Sequence, residues 1–190
     1  DTIYQVGENG ALAAVATDLE GVTDMVASDD GALYIAQEYA GTVTRMTLGE
    51  NASSKSLDFV VPRALALGID GSLLVAEAEM QEIHKLQLNA FEESDGADAG
   101  VDDMYEQPQQ IVGTNISASA LAVGIDGSVY AMNYSGQIFV MKAHTERYHS
   151  EGYGYGANEV EEYTWYEGAI EIEHQVSGLD GTLAVDTFGQ

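Results

Sequence analysis

One short motif recurs four times along this chain, and it constrains the fold more than any other feature. Each copy is an Asp-Gly pair between two apolar stretches: MVASDDGALYIA, LALGIDGSLLVA, LAVGIDGSVYAM and QVSGLDGTLAVD, with the aspartates at Asp30, Asp70, Asp126 and Asp180. Asp-Gly supplies the positive-φ positions of a tight turn, so each copy predicts a β-hairpin, and the aspartates are interpreted as turn residues. Four hairpins in one chain predict a β-repeat protein.

Two more strands are predicted after each hairpin. A third strand follows the next turn, in TVTRMTL, EIHKLQL and QIFVMKA, and a fourth, outer strand is predicted at 56–60, 109–113 and 163–167. The repeating unit is therefore predicted to be four antiparallel strands, named a, b, c and d in chain order.

The two chain ends complete this pattern. The last copy stops at TFGQ, after its b strand, whereas the chain opens with DTIYQV and GALAAVATDL, which match the missing c and d strands. Sharing one sheet between the ends is how a β-propeller removes an unpaired sheet edge. We therefore expect an all-β fold, a single four-bladed β-propeller. Its blades are approximately 22–61, 62–114, 115–167, and 168–190 completed by 1–21.

The repeated pattern of an apolar strand, x-D-G-[ST]-L-x-V-A, a turn and I-x-x-L resembles the blades of NHL-type and SMP30/gluconolactonase-type propellers. The resemblance covers essentially the whole chain and implies the fold, not one activity. Those families usually have five to eight blades. Three arrangements therefore stay open: closure of this chain alone, pairing with a second chain, or a processed piece of something larger.

Strand direction sorts the loops onto two faces, and both long insertions are predicted on the face that carries the a–b turns. The first, 89–107, is an acidic loop, interpreted as solvated or as a loose divalent-cation site. The second, 143–162, is rich in tyrosine and glycine. Tyrosine offers a large amphipathic contact area at low entropic cost, which suits recognition of proteins or glycans. The predicted binding residues are Tyr148, Tyr153, Tyr155 and Trp165; alternatively, their rings cover the base of the insertion.

The opposite face holds the mouth of the predicted channel, where propeller enzymes usually place metal ligands. Glu38, Glu77, Asn133 and Asp186 are candidates there for a hard cation such as Ca²⁺. The SMP30-like resemblance favours this idea, although the ligand positions of those enzymes do not map clearly onto this chain. The alternative is that the four are solvated loop-end residues, in which case the protein needs no cofactor.

Charge and composition restrict the partners. With 32 acidic and 6 basic residues, the net charge is −26, which repels nucleic-acid backbones and anionic lipid. No apolar run is long enough to span a bilayer. The absence of cysteine excludes disulfide scaffolds and thiolate chemistry. Such acidity is typical of an extracellular or particle-surface protein, or of a halophile cytosol. Because the sequence starts at Asp1, any signal peptide is interpreted as already absent.

These observations favour a non-enzymatic binding or structural module that engages a protein or glycan surface, with membership of a larger assembly also open. The alternative is a divalent-cation-dependent, lactonase-like or lyase-like propeller enzyme. Nucleic acid and membrane insertion are not expected.

Overall fold

The computed structural model describes residues 1–49, 52–91, 109–149, 160–166 and 170–172, and in these ranges the chain is built almost wholly of β-strands. A single short 3₁₀ turn covers Leu88–Phe91 within the described residues. The strands are β1 Ile3–Val6, β2 Leu12–Ala16, β3 Val22–Ala27, β4 Leu33–Gln37, β5 Thr42–Met46, β6 Ser54–Asp58, β7 Pro62–Leu67, β8 Leu73–Glu77, β9 Glu82–Leu86, β10 Gln109–Thr114, β11 Ala118–Val123, β12 Val129–Asn133, β13 Ile138–Met141, β14 Ala143–His149, β15 Val160–Tyr166 and β16 Ile170–Ile172.

Three of the sheets are four-stranded and antiparallel. Their strand orders are β3-β4-β5-β6, β7-β8-β9-β10 and β11-β12-β13-β16. We call them the first, second and third sheets. The a–b–c–d unit is therefore confirmed three times. Because successive strands run in opposite directions, the a–b turns and c–d connections lie at one end of each sheet and the b–c turns at the other.

The Asp-Gly turns differ in detail from the prediction. In each of the three described copies only the glycine has positive φ, at Gly31, Gly71 and Gly127. The glycine amide donates to the carbonyl three residues earlier, as in Gly71 N to Gly68 O at 3.0 Å. These are type I turns followed by a left-handed glycine, the usual three-residue hairpin loop, in place of a turn with two positive-φ residues.

The inner strand β7 contacts both β3 and β11. Ala64, Ala66 and Ala120 are buried, as the crowded centre of such an arrangement requires. Two apolar clusters fill the spaces between sheets: one joins the first and second sheets around Leu73 and Val75, and the other joins the second and third. Burial of these side chains is the main source of stability.

The N-terminal strands β1 and β2 form a separate two-stranded hairpin. Asp1 ties it to the first sheet, because one Asp1 carboxylate oxygen accepts a hydrogen bond from the Val22 amide at 2.8 Å. The fourth Asp-Gly copy lies at 173–190, outside the described residues. The described sheets do not form a closed ring, so closure stays a prediction.

The prediction that 163–167 forms the outer strand of the third blade is wrong. Residues 163–166 belong to β15, which pairs with β14, whereas β16 at Ile170–Ile172 is the strand that pairs with β13. The insertion predicted as a loop at 143–162 is therefore bounded by two paired strands. Among the described residues, no helix is long and apolar enough to cross a membrane.

Candidate functional site

The second insertion extends the c–d hairpin of the third sheet. Val140 is opposite Ile170 at the end of the sheet, and pairing resumes with Ala143 opposite Tyr166, offset by one residue. From there β14 and β15 stay in register to His149 and Val160. At about 3.3 Å per residue, seven pairs give a ribbon roughly 20 Å long. We call β14 and β15 the ribbon; it projects from the face that carries the a–b turns.

Register places the predicted aromatic residues on this ribbon. Positions 144, 146 and 148 are opposite 165, 163 and 161, so they share one face with them, and positions 143 and 166 belong to the other face. Tyr148, Tyr163 and Trp165 therefore occupy positions on the same face. Tyr153 and Tyr155 lie outside the described residues.

Tyr166, on the other face, anchors the base of the ribbon. Its half-buried ring packs against the apolar cluster between the second and third sheets. The Lys85 ammonium of β9 lies 5.6 Å from the centre of the ring. Burial, with a smaller contribution from the charge of Asp70, raises the pKa of Tyr166 to about 12, so the phenol is neutral at physiological pH. The third sheet is thus joined to the second at the root of the ribbon.

Lys85 is almost completely buried and forms an ion pair with a turn aspartate, its Nζ lying 2.7 Å from Asp70 Oδ2. Burial tends to raise the pKa of Asp70, but the hydrogen bonds from Lys85 and Ser72 and the charge of Lys85 hold it below its ordinary value. The turn aspartate therefore does more than shape the turn. It neutralises the buried cation beneath the ribbon.

The first sheet has an exposed version of this pair. Arg45, the residue equivalent to Lys85, lies 3.0 Å from Asp30. The third sheet has Val140 at the corresponding place, opposite Tyr130. These pairs were not predicted, although a basic residue at the same position of two c strands, Arg45 and Lys85, is a signal for them in the sequence.

On the opposite face, Glu38 is engaged by an arginine. Arg63 Nη2 lies 2.5 Å from Glu38 Oε1, and the Arg63 guanidinium carbon lies 5.7 Å from the centre of the Tyr134 ring. This contact links a b–c turn of the first sheet to β7 and to the loop after β12. A cation at Glu38 would compete with the guanidinium for this carboxylate.

Glu77 is buried and also has partners. Its Oε1 accepts a hydrogen bond from the Val60 amide at 2.5 Å, and its Oε2 lies 3.2 Å from His84 Nε2. Glu82 Oε2 is 3.2 Å from the same nitrogen. The imidazole ring also makes a T-shaped contact with the Phe59 ring. His84 thus lies between the second sheet and the segment that joins the first sheet to it.

The first sheet holds an uncharged counterpart of this cluster. Gln37 Oε1 accepts from the Glu20 amide at 3.0 Å, and Gln37 Nε2 donates to Thr44 Oγ1 at 3.0 Å. Gln37 and Thr44 occupy the places of Glu77 and His84 in the strand register. In the first and second sheets, the side chain that ends the b strand therefore accepts a hydrogen bond from a backbone amide in the segment that precedes its own sheet, which is a structural role.

Asn133 caps its own turn, since its Oδ1 accepts from the Ser135 and Gln137 amides at 3.0 Å each. Asp186 lies outside the described residues. Within the described part of the chain, no three His, Asp or Glu side chains are grouped so that they could hold a metal ion. Glu38, Glu77 and Asn133 each have their own partners within the protein, and no chemical step through a metal is assigned to them.

No family model matches the sequence, and no curated protein matches it either. Solved structures do. The chain resembles the catalytically inactive H270A variant of virginiamycin B lyase from Staphylococcus aureus, determined with quinupristin. The TM-score is 0.55 at 13% identity over 85% of this chain and 48% of that one. A structure described as streptogramin B lyase gives a TM-score of 0.59 at 11% identity, over 99% of this chain and 67% of that one.

At this level of identity the likeness concerns the fold. The chain spans about half the length of the S. aureus lyase. Both neighbours have a β-propeller fold, which is consistent with the resemblance to propeller blades but does not confirm the NHL-type or SMP30-type assignment. The chain has an all-β, propeller-like fold of antiparallel four-stranded sheets.

Proposed function

We propose that this chain is a non-enzymatic binding module that engages a protein or glycan surface through its ribbon. The observation that carries the proposal is the register of β14 and β15, which gives Tyr148, Tyr163 and Trp165 positions on one face. A ribbon with aromatic residues along one face suits a contact surface.

The root of the ribbon supports the same role. Tyr166 packs on the core and lies over the buried Lys85, which is paired with Asp70. These contacts restrict the angle at which the ribbon leaves the protein, so less orientational freedom is lost when a partner binds. The acidic surface favours a setting outside the cell or on a particle, with a salt-adapted cytosol as the other interpretation.

The proposal includes closure of the fold. We infer that strands from 173–190 pair with β1 to complete a fourth blade, making a single four-bladed propeller. The separate two-stranded β1–β2 hairpin supports this inference, because it lacks the two inner strands that each of the three four-stranded sheets has.

Trp165 is the only tryptophan in the chain, so its fluorescence reports directly on the ribbon. The protein is titrated with a panel of defined oligosaccharides and extended peptides. We expect the Trp165 fluorescence to shift with the ligands that bind. Tyr148→Ala and Tyr153→Ala/Tyr155→Ala should weaken that binding with little change in the melting curve. Tyr39→Ala, at an exposed tyrosine on the opposite face, is the matched control. Binding unaffected by the ribbon substitutions would reject the proposal.

A second candidate is a divalent-cation-dependent enzyme of the lactonase or lyase kind, acting at the opposite face. The solved neighbours are lyases, which fits this function as much as it fits the binding function. This function predicts Ca²⁺-dependent thermal stabilisation that Glu77→Gln or Asp186→Asn removes. It also predicts that quinupristin is consumed when it is incubated with the protein, and chromatography measures that loss. No calcium effect and no loss of quinupristin would exclude it.

A further inference from the structure

Glutamate and tyrosine positions face each other on the side of the ribbon that carries Tyr148, Tyr163 and Trp165, which we call the aromatic face. Glu146 is opposite Tyr163, and Glu161 is opposite Tyr148. Residues that are directly opposite on antiparallel strands have their Cβ atoms about 4.5–5.5 Å apart. Each tyrosine position therefore has a glutamate position beside it. We call these the two tyrosine–glutamate pairs.

The other face of the ribbon has a different charge pattern. Arg147 is opposite Glu162 there, so opposite charges hold directly opposed positions. Tyr166, which packs on the core at the root, also belongs to that face. Two glutamates but no lysine or arginine occur at the paired positions of the aromatic face, which are 144, 146, 148, 161, 163 and 165. The aromatic face is therefore acidic, whereas the charges of the other face are balanced.

The basic residues of the chain are committed elsewhere. All six lysine and arginine residues lie within the described ranges, so no segment outside them contains one. Arg45, Arg63 and Lys85 pair with carboxylates of the first and second sheets, and Lys55 belongs to β6 of the first sheet. Lys142 precedes the ribbon by one residue, and four residues of extended chain, about 13 Å, separate it from position 146. A cation for the tyrosine–glutamate pairs therefore has to come from a partner.

Elsewhere in this protein, a tyrosine ring and a carboxylate together hold a cation. The Lys85 ammonium lies 2.7 Å from Asp70 and 5.6 Å from the centre of the Tyr166 ring. Arg63 is held in the same way by a glutamate and a tyrosine ring, at 2.5 Å and 5.7 Å. The face of the ring attracts a cation through its quadrupole, and the carboxylate adds a charge–charge attraction. The two tyrosine–glutamate pairs offer the same two groups to a cation from outside.

The spacing of the two pairs defines the spacing of the cations that fit them. Positions 146 and 148 are two residues apart on β14, which is about 6.7 Å. An extended peptide places every second side chain on one face at the same spacing. We propose that the partner of the ribbon is a basic protein segment that lies extended along the aromatic face, with arginine or lysine at alternate positions. The net charge of −26 favours such a partner.

This inference rests on the proposed function and deepens it, because it selects a basic protein segment in place of a neutral glycan. Three synthetic threonine peptides of five residues test the choice. One has arginine at its second and fourth positions, one has arginine at its second and third, and one has glutamine at its second and fourth. Calorimetry and the fluorescence of Trp165 follow binding. We expect the alternate-arginine peptide to bind about threefold more tightly than the adjacent-arginine peptide, and the glutamine peptide to bind most weakly.

Salt and charge-removing variants test the carboxylates. Raising the salt concentration from about 0.01 M to about 1 M should remove most of the advantage of arginine over glutamine, because the screening length falls from about 30 Å to about 3 Å. Glu146→Gln/Glu161→Gln should weaken binding of the alternate-arginine peptide about tenfold, as loss of two exposed ion pairs allows. Glu8→Gln/Glu162→Gln removes the same charge from positions off the aromatic face, and should change the affinity less than about twofold. Far-UV circular dichroism checks that each variant is folded.

The outcomes separate this inference from the function on which it rests. Equal binding of the two arginine peptides, or equal losses in the two double variants, would overturn the inference. A neutral oligosaccharide that binds the parent protein but not Tyr148→Ala, with no binding of either arginine peptide, would overturn it too, while leaving the ribbon function standing with a glycan as its ligand. Binding of peptides and oligosaccharides that is unaffected by every ribbon substitution would overturn both.

Discussion

The three described turn aspartates show how one residue acquires different roles in different repeats. Asp30, Asp70 and Asp126 each accept a hydrogen bond from the amide two residues later, at 3.0–3.1 Å. They differ in the cation on the neighbouring c strand. Asp70 faces the buried Lys85, and Asp30 faces the more exposed Arg45. No basic residue occupies the corresponding place in the third sheet, which holds Val140.

This series predicts the stability of three conservative variants. Asparagine can keep the turn but removes the charge, so Asp70→Asn should leave Lys85 buried without a counterion. We expect it to cost about 2 kcal/mol of unfolding free energy at pH 7, less than a fully buried pair because Asp70 is partly exposed. Asp30→Asn and Asp126→Asn should each cost less than about 1 kcal/mol. Urea unfolding measures all three, and equal costs for Asp70→Asn and Asp126→Asn would contradict the account.

The same pair has a defined pH dependence. The pKa of Asp70 is lower in the folded protein than its ordinary value of 3.8. Its contribution is therefore fully present above the unfolded pKa and is lost as the pH falls through the folded pKa. The difference between the parent protein and Asp70→Asn should thus shrink when unfolding is measured near pH 3, whereas a difference that persists there would point to lost packing.

At the scale of elements, the sequence predicts strands better than it predicts their partners. β-rich composition correctly marks 163–166 as a strand, and alternation marks 109–113 as the outer strand of the second sheet. Within the described residues, the outer strand of the third sheet is Ile170–Ile172, which the sequence analysis did not mark as a strand. The partner of a strand depends on register and on which strand ends a turn brings together. Composition carries little of that information.

The ribbon gives a prediction at this scale, because its two faces should respond differently to truncation. Tyr166→Ala removes a ring that packs on the core and lies over Lys85, so we expect a loss of about 2 kcal/mol. Tyr163→Ala, on the other face of the same strand, should change the unfolding free energy by less than about 0.5 kcal/mol. Thermal and urea denaturation of both variants test this. A larger loss from Tyr163→Ala would reverse the assignment of the faces.

At the scale of the whole molecule, repetition predicts the three four-stranded sheets, because one four-strand unit recurs along the chain. Contacts between repeats were not predictable in the same way. Arg63 meets Glu38 from the first sheet and Tyr134 from the third, and nothing in a single repeat unit specifies those partners. The candidate cation ligands were placed on a common face, but their hydrogen-bond partners come from neighbouring segments.

The proposed closure requires both chain ends to share one sheet, which would complete a fourth blade. If Ile3 takes the place of Val43 in the repeat, then Gln5 corresponds to Arg45 and Ala184 to Tyr34, which are paired directly across β4 and β5. The chain has no cysteine, so an introduced pair has no competing thiol. Gln5→Cys/Ala13→Cys, a pair already opposed across β1 and β2, is the positive control, and Gln5→Cys alone is the negative control.

The decisive measurement is oxidation of Gln5→Cys/Ala184→Cys, followed by non-reducing electrophoresis and peptide mapping. The account predicts a disulfide within one chain, formed as readily as in the positive control, because residues directly opposed on neighbouring strands are close enough to be bridged. Free thiols, or disulfides only between two chains, in a sample whose positive control oxidises normally would contradict it.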